Sequence, residues 1–162
     1  MVKPEKCTRC KICELACSFE KERLFNPTKS RISVITWNKE GISVPMLCLQ
    51  CEDPVCVNAC PTAALYRDIK TGAILVNPDK CVGCRACIIA CPLGGIAMDS
   101  DKKIAIKCDL CEGGPKCVEL CPTGALEYKT ATKSVMAVRR EGARNLSEIL
   151  RRLSGARGAS SN

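Results

Sequence analysis

The chain has 162 residues, a net charge of +8, 16 cysteines, no histidine and only 3% aromatic residues. So few aromatics exclude a large conventional core. No run of 18 or so apolar residues exists to span a membrane, and the basic residues are not interleaved with aromatics as nucleic-acid binding would need.

The opening, Met1-Val2-Lys3-Pro4-Glu5-Lys6, carries no apolar export stretch, so a cytoplasmic protein is expected. Cys7, Cys10, Cys13 and Cys17 follow as a first cysteine group. Arg31 to Trp37 and Ile42 to Leu47 then read as two strands around a four-residue turn, Asn38-Lys39-Glu40-Gly41. The second group is Cys48, Cys51, Cys56 and Cys60. Leu65-Tyr66 and Ala73 to Val76 flank Lys70-Thr71-Gly72 as a second hairpin. The third group is Cys81, Cys84, Cys87 and Cys91. A third hairpin is predicted from Ile96-Ala97-Met98 and Ile104-Ala105-Ile106 across the polar stretch Asp99 to Lys103, before the fourth group, Cys108, Cys111, Cys117 and Cys121. Short helices are expected after the third cysteine of each group, as at Arg85 to Ala90. Pro61, Pro92 and Pro122 directly follow a fourth cysteine and should stop them.

From Lys129 onward the character changes. Eight Lys/Arg against two Glu give this tail +6, which leaves +2 for residues 1–128. Asn145 with Glu148 forms a capping-box-like start. Leu146, Ile149, Leu150 and Leu153 fall on one face of a predicted helix over 145–153, and a small, polar stretch, Gly155 to Asn162, is expected to be disordered. One reading of the apolar face is a helix packed on its own domain; the other, taken as the expectation, is docking through residues 143–162 on a partner or on a second copy of the chain.

The chain is internally duplicated. Pro4-Glu5-Lys6-Cys7 matches Pro78-Asp79-Lys80-Cys81, and Cys56-Val57-Asn58-Ala59-Cys60-Pro61-Thr62 matches Cys117-Val118-Glu119-Leu120-Cys121-Pro122-Thr123. Groups one and two thus reappear as three and four.

All 16 cysteines fall into these four groups of four. Cysteines two residues apart are poor disulfide partners but suit metal. Zinc sites use paired knuckles, often with histidine, whereas here a third cysteine follows each pair. The first and third groups read C-x2-C-x2-C-x3-C, the bacterial ferredoxin run for a [4Fe-4S] cube. Three thiolates on a tight loop reach three irons, so the fourth iron takes its ligand from elsewhere in the fold. Four [4Fe-4S] clusters are expected, and folding should be coupled to their loading. Each adds about −2, so four bring the loaded chain to about zero net charge. No general base, nucleophile or substrate pocket is suggested.

Four groups in this order, with gaps of two-two-three, two-four-three, two-two-three and two-five-three, resemble the four-cluster electron-transfer subunits of the dimethyl sulfoxide reductase beta-subunit family, over residues 4–128. The stretch Cys17-Ser18-Phe19-Glu20 through Phe25-Asn26-Pro27-Thr28-Lys29-Ser30-Arg31-Ile32 is most similar to the small iron–sulfur subunits of tungsten aldehyde oxidoreductases and related benzoyl-CoA reductase modules. The resemblance implies an α+β fold of two interleaved ferredoxin-like modules, short hairpins and helices around the clusters, with a C-terminal helical tail. The outer module would take residues 1–30 with 96–128, the inner module 45–95, and the tail 129–162.

The resemblance also implies a pairing of ligands. Cys7, Cys10, Cys13 and Cys121 would hold one cluster, and Cys108, Cys111, Cys117 and Cys17 its neighbour. Cys48, Cys51, Cys56 and Cys91 would hold a third, and Cys81, Cys84, Cys87 and Cys60 the fourth. The 20 residues between Cys60 and Cys81 suit the inner pair. The outer pair needs the chain ends brought together, which the spacing leaves open. The implied function is a non-catalytic relay, passing single electrons between a tungsten- or molybdenum-pterin catalytic subunit and a flavin or other acceptor subunit in an anaerobic, cytoplasmic complex. The same relay serving a hydrogenase, formate dehydrogenase or carbon monoxide dehydrogenase, and a free polyferredoxin, stand as alternatives.

Overall fold

The computed structural model describes residues 1–129 together with Arg144 and Ser147. It divides into a unit spanning Val2–Glu127 and a second unit of Met1 with residues 128–162. In the second unit, the Ser147 hydroxyl donates to the Arg144 carbonyl at 2.7 Å. The helix predicted over 145–153 otherwise lies outside the described residues.

The Val2–Glu127 unit is α+β, with short helices and three separate antiparallel hairpins. Strands β1 (Ile32–Trp37) and β2 (Ile42–Leu47) pair with Ile32 opposite Leu47 and Trp37 opposite Ile42. Pro45 has no amide to give, and its place in a two-stranded ribbon spares a ladder bond. Beside it, buried Glu14 accepts the Val34 amide at 2.6 Å. Strands β3 (Leu65–Arg67) and β4 (Ile74–Val76) form the second hairpin, and β5 (Ile96–Met98) and β6 (Ala105–Lys107) the third. All three lie where alternation and turn residues place them in the sequence.

The helices are α1 (Ile12–Glu22), α2 (Val55–Asn58), α3 (Ala86–Ala90) and α4 (Lys116–Glu119). Each begins one residue before its group's third cysteine and carries that cysteine in its first turn, rather than following it. The cause at α1 and α3 is the residue just ahead, Lys11 at φ 59° and Arg85 at φ 65°, whose left-handed backbone turns the cysteine loop straight into the helix. Helices α2, α3 and α4 end before Pro61, Pro92 and Pro122. Cys17 is followed by Ser18 instead, so α1 runs on to Glu22. Fully buried Ser18 donates to the Leu15 carbonyl at 3.0 Å and accepts the Asn26 amide at 3.2 Å, which folds the chain back after the helix.

Two small apolar cores result, and no aromatic side chain is buried in either. One gathers Ile32, Val34 and Leu126 with Cys13, Cys17 and Cys117. The other gathers Leu65, Ile74, Ile96 and Ala105 with Cys87. Phe19 and Phe25 instead stack on each other at 4.8 Å near the surface.

Candidate metal centres

The four cysteine groups do not each close on themselves. The loops wind so that the first three thiols face one hollow while the fourth, carried past the helix, faces another. One hollow is lined by Cys7, Cys10, Cys13 and Cys121. A second is lined by Cys17, Cys108, Cys111 and Cys117. A third is lined by Cys48, Cys51, Cys56 and Cys91. The remaining four meet around α3, where Cys81, Cys60 and Cys84 are the charged neighbours felt by Cys87. Cys60 and Cys81 pack with Cys87 on the second core.

Neighbouring sets also lie close together. Cys117 packs with Cys13 of the first set in one core. Gln50 donates its backbone amide to Cys48 Sγ and its side-chain amide to the Cys108 carbonyl, which joins the second set to the third. Cys10 and Cys84, at matching places in the duplicated sequence, are the two exposed cysteines, one in each end set.

The sulfurs are prepared for negative charge by backbone amides. Cys17 Sγ accepts from Arg31 at 3.3 Å and Cys81 Sγ from Ala105 at 3.4 Å. Cys60 and Cys91 accept from Ala64 at 3.2 Å and Gly95 at 3.4 Å, four residues on in each case. The geometry comes from the repeated Cys-Pro-x-Ala/Gly turn, where Ala63, Gly94 and Gly124 have φ of 50°, 59° and 64°. Cys48 Sγ accepts from the Gln50 amide at 3.4 Å. At Gly95 a side chain is excluded on space as well, because an added Cβ would stand 2.8 Å from Cys48 Cα.

Burial works against these thiols. With the neighbouring carboxylates and cysteines adding to it, burial pushes Cys13 and Cys117 up to about 12 and Cys108 up to about 11. Buried thiols of this kind become thiolates only when a cation compensates them, as bound iron does. For Cys60 and Cys121 burial is again the largest effect. Here the amides of Leu65 and Leu126 and the hydroxyls of Thr62 and Thr123 outweigh it and hold both thiols below the ordinary value.

Among the described residues, no three His, Cys, Asp or Glu side chains converge closely enough to share one ion. A tetrahedral zinc needs all four sulfurs on one ion at about 2.3 Å. A cube gives each thiolate its own iron and holds the sulfurs further apart. The all-cysteine donor sets and their amide bonds to sulfur fit an iron–sulfur cube. Sequence reasoning missed Gln50 and Lys107, which link two of the sets. Neither carries a motif signal.

Models of two families match the chain, a 4Fe-4S dicluster domain over residues 40–131 and a 4Fe-4S binding domain over residues 4–20. The polyferredoxin-like subunit of aliphatic sulfonate oxidoreductase from Pyrococcus furiosus is 46% identical over 109 residues, 67% of this chain and 62% of that one. The B subunit of the anaerobic dimethyl sulfoxide reductase of Haemophilus influenzae is 35% identical over 118 residues, 65% of this chain and 57% of that one. The electron transport protein HydN of Escherichia coli is 37% identical over 129 residues, 64% of this chain and 70% of that one. The first two alignments thus cover less than two thirds of those relatives' length. Among solved structures, the BamBC active-site complex of benzoyl-CoA reductase aligns at a TM-score of 0.46 and 23% identity, over 88% of this chain and 86% of that one.

Proposed function

The chain belongs to the 4Fe-4S dicluster domain family, and from that premise we propose that it relays single electrons through four [4Fe-4S] clusters as a non-catalytic subunit of an oxidoreductase complex. The observation that carries this reading is the exchange of fourth cysteines. Cys121 stands with Cys7, Cys10 and Cys13, and Cys17 with Cys108, Cys111 and Cys117. Cys91 stands with Cys48, Cys51 and Cys56, and Cys60 with Cys81, Cys84 and Cys87. Each set would hold one cube, which when bound supplies reversible one-electron storage.

The packing of Cys13 with Cys117 and the ring of hydrogen bonds that joins Gln50 to Cys108 support a row in which the cube at Cys7 is followed by those at Cys117, Cys48 and Cys81. The row comprises an outer module, residues 1–30 with 96–128, and an inner module, 45–95. Its ends are the sets with an exposed cysteine, Cys10 and Cys84, where electrons would enter and leave. The chain's own residues keep water off the sulfurs and donate amides to them.

The catalytic work would sit on a partner, for which we favour a tungsten- or molybdenum-pterin subunit of the aldehyde oxidoreductase type. A free electron carrier is the second reading, supported by the likeness to HydN along 70% of that protein. Anaerobic co-purification from the native source tests both. A complex containing tungsten or molybdenum supports the subunit, and a lone brown chain with about sixteen iron and sixteen sulfide supports the carrier. Zinc in place of iron overturns the relay.

A further inference from the structure

Lys107 ends β6 directly before Cys108 and is 4% exposed. Among the described residues it makes no ion pair with a carboxylate. Its ammonium donates instead to two backbone carbonyls, Ile74 and Cys108, the latter at 3.0 Å. A buried cation held only by carbonyl dipoles is costly unless negative charge lies close by.

Gln50 completes the arrangement. Its Nε2 donates to the same Cys108 carbonyl at 2.6 Å, and its Oε1 accepts the Ile74 amide at 2.7 Å. Its own amide donates to Cys48 Sγ. Gln50, Ile74, Lys107 and Cys108 therefore form a closed ring of hydrogen bonds between the Cys48 set and the Cys108 set. Every polar group of Ile74 is used in it. Ile74, whose carbonyl holds the ammonium, also lines the hollow of Cys48, Cys51, Cys56 and Cys91, which puts the charge beside the third set.

We propose that Lys107, fixed by Gln50, is an electrostatic positioning residue at the middle of the relay, its charge favouring arrival of an electron on the cube held by Cys48, Cys51, Cys56 and Cys91. The inference rests on the relay reading above. In the step concerned one electron leaves the neighbouring cube and enters this one, and no bond or proton is exchanged. The added negative charge is stabilised by the ammonium, which is held by two carbonyls whose residues, Ile74 and Cys108, are in turn fixed by Gln50. The two cubes at the ends of the row lie beyond the ring and do not share the effect.

The test is an EPR-monitored redox titration of the loaded protein carrying Lys107→Met or the isosteric Gln50→Glu. The second keeps the side-chain volume and places a carboxylate beside Lys107, cancelling its charge. Each variant is expected to make reduction of one middle cube at least tenfold less favourable, a downward shift of about 59 mV per tenfold. The end cubes should titrate as in the wild type. If Lys107→Met does not load clusters, Gln50→Glu decides alone. Four potentials that fall together, or none that moves, overturn the role of Lys107. A wild-type protein with fewer than four cubes overturns the relay itself.

Discussion

The two cores are assembled from very different stretches of chain. The core around Leu65, Ile74, Ile96 and Ala105 is made by two hairpins and one short helix, all within residues 65–107. The core around Ile32, Val34 and Leu126 draws on both ends of the Val2–Glu127 unit. Val2 bridges Leu126, the Lys3 amide donates to the Ala125 carbonyl at 2.8 Å, and Lys3 pairs with Glu127. Three of the buried residues in the core around Ile32 are cysteines, against one in the core around Leu65. Closing so long a loop costs chain entropy before any contact repays it. With so little aliphatic material there, the repayment must come largely from metal ligation. The core made of local hairpins should therefore survive partial loading, and the core made of chain ends should not.

The largest expected effect comes from the exchanged ligands. Cys17→Ala should remove the cube at Cys108, Cys111 and Cys117 and with it the closure of the chain ends. Cys60→Ala should affect the cube at Cys81, Cys84 and Cys87 and leave the chain ends closed. Iron content, EPR of the reduced protein and proteolysis near residues 2–6 would read the two outcomes. If Cys17→Ala instead disturbed the cube at Cys7, Cys10 and Cys13, each group would be self-contained, and both the pairing and the contrast between cores would fall.

A smaller effect separates two turns of one design. Gly95 and Gly124 both lie just after a Cys-Pro pair, but for different reasons. At Gly124 an added Cβ meets nothing, and Ala63 occupies the matching place at φ 50°. Gly124→Ala should cost about 1 kcal/mol of backbone strain. At Gly95 the Cβ would press on Cys48, 2.8 Å from its Cα, so Gly95→Ala should cost about 1–3 kcal/mol. It should also release iron from the Cys48 set first. Thermal melts of the loaded proteins, followed by cluster absorbance, would rank them. Equal losses would mean that the close approach at Cys48 is relieved cheaply.

Asp99 offers an electrostatic check on how the segment leading into the core around Ile32 is tied to the β5–β6 hairpin. It is 1% exposed, and the Lys29 ammonium at 2.8 Å, with the amides of Lys102 and Asp101, holds its carboxyl down to about 2, from an ordinary 3.8. A depressed carboxyl stabilises the fold above its unfolded value and ceases to do so as pH falls through the folded one. The contribution, about 2 kcal/mol, should be complete above pH 4 and disappear on the way down to pH 2. Asp99→Asn should lose it at neutral pH. A variant as stable as wild type at pH 7 would refute the tie.

Much of this could be read from the chain itself. The three hairpins are legible because alternation and turn residues coincide, as at Trp37 and Ile42 on either side of Asn38 to Gly41. The cysteine groups are legible because their spacing has few other uses. The helix at Arg85 to Ala90 is legible to within one residue, whereas the general placement after each third cysteine fails because nothing marks Lys11 or Arg85 as left-handed, lysine and arginine being ordinary in any conformation. Gln50 and Lys107 were invisible for a different reason. Their ring joins residues far apart in sequence and uses backbone atoms of Ile74 and Cys108, which any residue would supply.

The smallest predicted effect concerns hydroxyls at the two ends of the row. Thr62 Oγ1 lies 3.7 Å from Cys60 Sγ and Thr123 Oγ1 3.8 Å from Cys121 Sγ, whereas the matching place after Cys91 is Leu93. A donor to a ligand sulfur stabilises the more negative, reduced cluster and raises its potential. Thr62→Val and Thr123→Val keep the side-chain shape and remove only that donor. Each should lower the potential of one end cube, by roughly a few tens of millivolts at these long O–S separations. The cube with Cys91, which has no such donor, should be indifferent to both. Because the amides of Ala64 and Leu65 remain on Cys60, iron content and melting should stay unchanged, and only the titration would report the loss. Were Thr62→Val to move the Cys48 cube as far as the Cys81 cube, the hydroxyl would be acting through packing of the shared core and not through the sulfur of Cys60.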